Sequence, residues 1–236
     1  MKLFRTVIAA LLLLCSTVAT AHDFTVGGIY YNILSSTDQT VEVTYNDELF
    51  YNFASSYSGS ITIPSSVTYS GTTYSVTTIR DLAFYGCPSL ANVTLPNSLT
   101  TIGNHAFSGG TSLASIEIPN SLTTIGNQAF YCCESLTNIT LPNSLTTIGQ
   151  EAFEFCSSLK SIEIPNSVTT IEEGAFNGCE SLTSISVTGG NTTYDSRYNC
   201  NAIIETATNT LIAACKNTVI PNSVRSEEHT SELQSR

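Results

Sequence analysis

Basic residues are scarce in this sequence. The 236 residues include 8 lysines and arginines against 19 aspartates and glutamates, for a formal net charge of −11. Between residues 22 and 224 the only cations are Arg80, Lys160, Arg197 and Lys216. Four dispersed cations cannot neutralise a phosphate backbone, so we expect neither nucleic acid nor an anionic membrane surface to be a partner.

Histidine is also rare, which argues against a nucleophilic enzyme. Of the 3 histidines, only His105 lies well inside the predicted fold. A serine or cysteine nucleophile needs an oriented base, and His105 occupies a variable column of the repeat described below, where we expect it to face solvent. Zinc sites are typically built from Cys-x-x-Cys pairs and histidines, and the sequence lacks that combination. We therefore predict no catalytic residue, no metal site and no cofactor.

Long apolar runs are confined to the N-terminus. Lys2 and Arg5 precede an apolar run from Val7 to Leu14, and Ala19, Thr20 and Ala21 then form a small-x-small cleavage site. This pattern predicts a signal peptide that is cleaved after Ala21, and hence a secreted or cell-surface protein. No other run approaches the ~20 apolar residues of a membrane-spanning helix, so we expect no membrane span.

The C-terminal residues 225–236 depart from the rest of the sequence. They read RSEEHTSELQSR and resemble a translated sequencing adapter. We therefore expect the natural protein to continue beyond Val224, and we assign no function to residues 225–236.

A 23-residue repeat dominates the sequence between these ends. Four consecutive copies begin at Pro96, Pro119, Pro142 and Pro165 and align without a gap. In each copy an alternating apolar run ends at proline, which predicts a strand with one buried face. A second apolar set, Leu-x-x-Ile-x-x-x-Ala-Phe, should form the return path of the coil. Stacked copies are then expected to bury one continuous column, formed by Phe84, Phe107, Phe130, Phe153 and Phe176.

The columns L-x-x-I-x-I-P-N-S-L-x-x-I-x-x-x-A-F-x-x-C resemble the BspA-like leucine-rich repeat family of bacterial surface proteins. The resemblance covers roughly residues 61 to 224. It implies a leucine-rich repeat solenoid that is β-rich, curved and right-handed, with short strands on the concave face and short helical or 3-10 turns. It also implies export to the cell surface, where members of the family mediate adhesion.

The segments flanking the repeats predict hairpins. Val67 to Tyr69 and Tyr74 to Val76 flank a Ser-Gly turn, and Ile61 and Ile63 already match the end of a repeat strand. After Val187 the 23-residue period breaks, and two apolar runs flank the polar link at residues 206–209. The predicted organisation is a signal peptide over 1–21, an N-terminal β cap over 22–60, leucine-rich repeats over 61–187, an irregular repeat with an inserted hairpin over 188–220, the start of a truncated repeat at 221–224, and a non-native tail over 225–236.

The cysteines fall into two groups. Cys87, Cys133, Cys156 and Cys179 share one repeat column in which glycine also occurs, so we expect buried thiols rather than metal ligands or nucleophiles. Cys200 and Cys215 flank the inserted hairpin, and the sequence leaves open whether they form a disulfide or remain thiols.

Glycine and glutamate columns also repeat. Gly103, Gly126 and Gly149 share a column with arginine and glutamate, so we expect no obligatory left-handed backbone there. Glu117 and Glu163 share an outward strand column, about 10 Å apart at ordinary strand spacing. On an open face they lack the burial that would raise a carboxyl pKa, so we expect solvated groups rather than a hydrolytic pair.

The outward-facing strand residues are the surface that folding explains least. We expect them to form an adhesion face that binds an extracellular protein or glycan, such as a component of the host matrix. The alternative is a structural spacer or accessory array that presents a domain lost by C-terminal truncation. The sequence leaves the oligomeric state open. The candidate binding residues are Asn92, Thr94, Ser115, Glu117, Asn138, Thr140, Ser161, Glu163, Ser184 and Ser186.

Overall fold

The computed structural model describes residues 22–45 and 57–224. The predicted signal peptide, residues 46–56 of the predicted cap, and the adapter-like tail lie outside these described residues. The described chain is a solenoid of stacked coils built almost wholly from strands, as the repeat predicts.

The first six strands belong to the N-terminal region. They are β1 (Phe24–Val26), β2 (Ile29–Ser35), β3 (Thr40–Thr44), β4 (Gly59–Thr62), β5 (Ser66–Tyr69) and β6 (Thr72–Ile79).

The repeats alternate a longer and a shorter strand. The longer strands are β7 (Leu90–Thr94), β9 (Ser115–Glu117), β11 (Asn138–Thr140), β13 (Ser161–Ile164) and β15 (Ser184–Val187). The shorter strands are β8 (Thr101–Ile102), β10 (Thr124–Ile125), β12 (Thr147–Ile148) and β14 (Thr170–Ile171). After them come β16 (Tyr194–Asp195), a single 3-10 turn (Arg197–Asn199), β17 (Ala202–Glu205) and β18 (Thr210–Ala214).

Each coil contributes one strand to each of two parallel arrangements. The longer strands pair in the order β4-β7-β9-β11, with β13 and β15 paired separately. The shorter strands pair in the order β6-β8-β10-β12-β14. Register is kept from coil to coil, so that Ile102 lies opposite Ile125 and Ile125 opposite Ile148. Each side chain therefore packs against its own equivalent in the next coil.

The N-terminal cap continues the sheet of shorter strands. β1, β2 and β3 are antiparallel, and β3 then pairs in parallel with β6. The predicted hairpin of β5 and β6 is confirmed, with Ser70 and Gly71 at φ 49° and 83° in its turn. Because β6 also pairs with β8, the cap sheet extends past the boundary predicted at residue 60.

Two further sequence predictions about strands are confirmed. Ile61 lies opposite Val93 of β7, the strand that precedes the first full repeat, so β4 is the first strand of the longer-strand sheet. The inserted hairpin forms from β17 and β18, which pair antiparallel. The turn that starts each repeat recurs at its last partial copy, where the amide of Val224 donates to the carbonyl of Pro221.

The predicted phenylalanine column is the centre of the core. All five rings are buried, and successive ring centroids are 4.9, 5.3, 5.3 and 5.6 Å apart with interplanar angles of 2–6°. Tyr57 closes the column on the cap side, 4.7 Å from Phe84. Its hydroxyl donates to the carbonyl of Thr44 and accepts from the amide of Tyr30, so the aromatic end is both packed and hydrogen-bonded.

Polar columns join the coils as regularly as the apolar ones. In the four full copies, the serine of the Pro-Asn-Ser segment donates to a carbonyl of the preceding coil, as Ser144 does to Leu122 at 2.6 Å. A column of asparagines bonds to backbone amides of the following coil. Asn104 Oδ1 accepts from the Asn127 amide, and Asn127 Oδ1 accepts from the Gln150 amide. These side chains satisfy backbone groups that the very short strands leave unpaired.

The glycine column is needed for close approach rather than for backbone conformation. Gly103, Gly126 and Gly149 have no positive φ, as expected. A Cβ at Gly126 would lie 2.7 Å from the Asn104 amide nitrogen of the preceding coil. The coils therefore touch backbone to backbone at this column.

The left-handed position lies two residues further on, where the sequence gives little sign of it. His105, Gln128 and Glu151 have φ of 53–54°, and Gly174 has φ 70° in the same column. His105 is half-buried there, which corrects the expectation of a solvent-facing side chain. The position turns the backbone, and its side chain packs against the coil surface.

The aromatic column predicts that two phenylalanine substitutions differ widely in their effect on stability. Phe130 is fully buried in the middle of the stack, whereas Phe155 is 45% exposed. Phe130→Ala should lower the free energy of unfolding by roughly 3–5 kcal/mol, measured by chemical denaturation. Phe155→Ala is the control, and similar losses in the two variants would contradict the stacked core.

The close approach of the coils predicts that two glycine substitutions also differ in their effect on stability. Gly126→Ala should cost roughly 1–3 kcal/mol because the new methyl overpacks against the neighbouring backbone. Gly189 also lacks a positive φ and has open space around it, so Gly189→Ala should leave the melting temperature unchanged or raise it. An equally harmless Gly126→Ala would show that the coils do not touch at this column.

Candidate binding face

The longer strands divide their side chains cleanly between two sides. Val93, Ile116, Ile139, Ile162 and Ile185 point inward and are buried. The residues on either side of each point outward, because side chains alternate along a strand. We call the ten outward residues of β7, β9, β11, β13 and β15 the long-strand face: Asn92, Thr94, Ser115, Glu117, Asn138, Thr140, Ser161, Glu163, Ser184 and Ser186.

The structure brings these ten sequence-predicted residues together in two columns. Asn92, Ser115 and Asn138 lie opposite one another on adjacent strands. Thr94, Glu117 and Thr140 form the second column. On β13 and β15, which pair with each other and not with β11, Ser161 lies opposite Ser184 and Glu163 opposite Ser186. Nine of the ten side chains are exposed, and Ser186 is half-buried.

Few of the polar groups on the long-strand face are used within the protein. Asn92 donates to Ser60 Oγ at 3.2 Å, and Glu163 accepts from Thr188 Oγ1 at 3.1 Å. Ion pairs in the described part of the chain join only Arg80 to Glu42 and Arg197 to Asp195. Hydroxyl, amide and carboxylate groups on this face are therefore available to a partner.

The chemistry of the long-strand face is that of short polar side chains on a fixed backbone. It carries no aromatic ring and no cation, and its two charges are Glu117 and Glu163. Both carboxylates are exposed, with Thr140 in the column between them. This arrangement suits hydrogen bonding and attraction of cations, and it lacks the enclosed pair of carboxyls that glycoside hydrolysis uses.

The inserted hairpin is held to the last repeat by Asn191. Its side-chain amide donates to the carbonyls of Pro165 and Val168 at 2.9 and 3.0 Å, and its Oδ1 accepts from the amides of Thr193 and Tyr194. One asparagine thus replaces several backbone contacts where the period breaks. No sequence pattern marks this role, since Asn191 reads only as part of an Asn-x-Thr sequon.

The 3-10 turn that precedes the inserted hairpin presents an aromatic ring. The Arg197 guanidinium binds Asp195 at 2.6 and 2.8 Å and donates to Asn209 Oδ1 at 2.8 Å. Tyr198 follows with φ 60° and is 85% exposed. A bulky residue in the left-handed region is uncommon, and the Arg197 contacts hold it there.

The disulfide considered between Cys200 and Cys215 is not formed. Cys200 packs with Ala202 and Ile204 in a small second cluster, whereas Cys215 packs against the main core. The two side chains therefore belong to opposite sides of the hairpin. Cys215 Sγ instead lies 3.4 Å from the carbonyl oxygen of Asn201.

The repeat-column cysteines are structural, as their pattern predicts. Cys133, Cys156 and Cys179 each donate to the carbonyl of a phenylalanine in the preceding coil, at 3.2–3.3 Å. Burial raises the pKa of Cys133 to about 12 and raises that of Cys156 well above its usual range. Cys132 is only half-buried and stands at φ 55° in a column that holds Gly109 in the preceding coil and Phe155, also at positive φ, in the next.

Two kinds of site are absent from the described ranges. Residues 22–45 and 57–224 contain no cluster of three or more histidine, cysteine or acidic side chains able to hold a metal ion. Within those same ranges no helix has the length and hydropathy to cross a membrane.

The repeats match a family model. The model for the BspA type leucine rich repeat region fits residues 77–204 as six copies. Among solved structures, a leucine-rich repeat protein of Treponema pallidum is 36% identical with a TM-score of 0.59, and covers 69% of this chain and 70% of its own. A leucine-rich repeat protein of Bacteroides ovatus is 35% identical with a TM-score of 0.62, and covers 72% of this chain.

A third similar structure is described as a leucine rich cell surface protein of Faecalibacterium prausnitzii. It is 26% identical with a TM-score of 0.50, over 85% of this chain and 65% of that protein. The present chain spans only 45% of the Bacteroides ovatus protein. No curated protein matches the chain significantly.

The burial of the cysteine column predicts its reactivity. Only a thiolate alkylates readily, so the buried Cys133 and Cys156 should resist iodoacetamide at pH 8 in the native protein and react fully after denaturation. Peptide mass spectrometry reads each site, and the same spectra should show Cys200 and Cys215 as free thiols. Rapid native alkylation of Cys133 or Cys156 would contradict their place in the core.

Proposed function

This chain belongs to the family of BspA-type leucine-rich repeat proteins, and on that premise we propose that its long-strand face binds an extracellular protein or glycan. The observation that carries the proposal is the exposure of nine polar side chains on five successive longer strands. None of the nine packs in the core. The packing of coil on coil requires only the inward columns. The outward side chains are not needed for this packing and are therefore available to bind a partner.

The rigidity of the face favours binding by short side chains. Serine, threonine and asparagine lose little conformational entropy when a partner docks. Their backbone is already fixed by pairing on both sides, as at β9 between β7 and β11. A partner therefore meets hydrogen-bonding groups that need little further ordering.

We propose further that the protein acts outside the cell, secreted or at the cell surface, in adhesion. The predicted signal peptide and the cell-surface description of the Faecalibacterium prausnitzii protein support this location. Under this proposal the array is not an enzyme, and it meets host proteins or glycans by binding alone. The proposal requires neither a cofactor nor a membrane span.

A spacer role is the second candidate. The chain spans less than half of the Bacteroides ovatus protein, so a repeat array of this kind can belong to a larger protein. A spacer would project another domain without using its own outward side chains. The two roles differ in whether changes on the long-strand face affect binding.

The test is binding of the purified protein to a panel of extracellular matrix proteins and glycans, measured by surface plasmon resonance. Replacing Glu117, Thr140 and Glu163 together by alanine should weaken binding to any positive panel member about tenfold, equal to about 1.4 kcal/mol. The matched control replaces Thr101, Thr124 and Thr147, which lie on the shorter strands. Equal affinity of the two triple variants would reject the long-strand face and favour the spacer role.

A further inference from the structure

We infer that residues 188–195 close the last edge of the sheet of shorter strands and thereby block a second copy of this chain from pairing there. We call these residues the closing coil. The inference concerns the end of the array and is independent of the long-strand face. It follows from the order of the strands, from two side chains that contact the last full coil, and from a third that covers the closing coil itself.

The sheet of shorter strands ends at β14, where an open edge would favour pairing with another chain. β6, β8, β10, β12 and β14 follow one another in parallel. The amides of Thr170 and Glu172 donate to the preceding coil, so the amide of Ile171 between them points away from it. Unpaired backbone groups at an edge are a template for another strand. The β14 edge of a second copy would match it about a two-fold axis.

The closing coil starts as a further copy of the repeat. Residues 192–194 read Thr-Thr-Tyr and lie 23 residues after the Thr-Thr-Ile of residues 169–171. The repeat spacing therefore continues beyond Val187, but the strand pairing does not. β16 begins at Tyr194 and pairs antiparallel with β17, whereas β14 has no strand after it in its sheet. Side chains therefore cover β14 where a strand would otherwise lie.

Tyr194 covers the amide edge of β14. It is buried and occupies the column that holds Ile148 and Ile171 in the two preceding copies. Its side chain is longer than that of isoleucine, and its hydroxyl oxygen accepts from the Ile171 amide at 2.9 Å. A phenol group thus satisfies the outward N–H that a further strand would bond.

Asn191 covers the carbonyl groups of the turn before β14. In the four full copies a serine donates to a carbonyl of the preceding coil, and the last of these bonds joins Ser167 to Leu145. The next carbonyl in the series belongs to Val168, and Asn191 Nδ2 donates to it at 3.0 Å. Asn191 lies 23 residues after Val168, so an amide side chain has replaced the apolar residue of that column. This replacement supplies the donor that a further coil would bring.

The outer side of the closing coil is covered as well. Within the array, the threonine before each shorter strand donates to its equivalent in the preceding coil, as Thr169 Oγ1 does to the Thr146 carbonyl at 3.4 Å. The equivalent carbonyl of the closing coil is that of Thr192, and it accepts from Thr206 Oγ1 at 3.0 Å. The amide of Thr206 also donates to the carbonyl of Thr193 at 2.9 Å. Because Thr206 directly follows β17, the inserted hairpin itself occupies this side.

Removing one hydroxyl tests the closure of the amide edge. Tyr194→Phe should speed hydrogen exchange of the Ile171 amide about tenfold relative to the Gly126 amide, because the Ile171 amide loses its hydrogen-bond acceptor. Gly126 is the internal reference, since its amide donates to Ile102 in the same sheet, and NMR reads both amides. The control is Tyr198→Phe, at a side chain of the same insertion that is 85% exposed, and it should leave the ratio unchanged. An unchanged ratio in Tyr194→Phe would overturn the inference.

Restoring the residues of the regular repeat tests what the closure prevents. The double variant Asn191→Leu and Tyr194→Ile should form a dimer through β14, whereas the original chain and Tyr198→Phe should remain monomeric. Light scattering after size-exclusion chromatography measures the mass over a range of protein concentrations, and circular dichroism checks that the double variant is folded. A folded double variant that stays monomeric, or an original chain that dimerises to the same extent, would refute the closure. If the double variant does not fold, the exchange ratio in Tyr194→Phe decides.

Discussion

The requirement that each coil pack on a copy of itself is the constraint on which the rest of this structure depends. Any side chain in an inward column must be compatible with the same side chain one strand spacing away. Phenylalanine meets this requirement by parallel stacking, with centroids about 5 Å apart. Glycine meets it at residue 126, where two backbones touch. Serine and cysteine meet it by donating to carbonyls of the preceding coil, and asparagine by accepting from an amide of the following coil.

This constraint also separates the residues that build the fold from those that remain available. Inward columns are nearly invariant among the copies of this chain, because one wrong side chain would disturb two neighbours. Outward columns vary among threonine, serine, asparagine and glutamate. The carboxylates of Glu117 and Glu163 are the only charges on an otherwise neutral long-strand face.

Most of the array could be predicted from the sequence because the governing interactions repeat with it. The phenylalanine column, the match of Ile61 to a repeat strand, and the inserted hairpin all follow from period and alternation. The left-handed column could not be found in this way. His105, Gln128 and Glu151 tolerate a positive φ without being glycine, so no residue type marks the turn. Cys200 and Cys215 were ambiguous because spacing along the chain does not reveal on which side of a hairpin each thiol lies.

The central claim is that stacking frees one face of the sheet for a partner. Methyl NMR of the labelled threonines tests it most directly. The spectrum is recorded before and after addition of an extracellular matrix protein that binds in the panel. The account predicts that the methyl signals of Thr94 and Thr140 on the long-strand face shift, while those of Thr101 and Thr124 on the shorter strands stay in place. Shifts confined to Thr101 and Thr124 would contradict it.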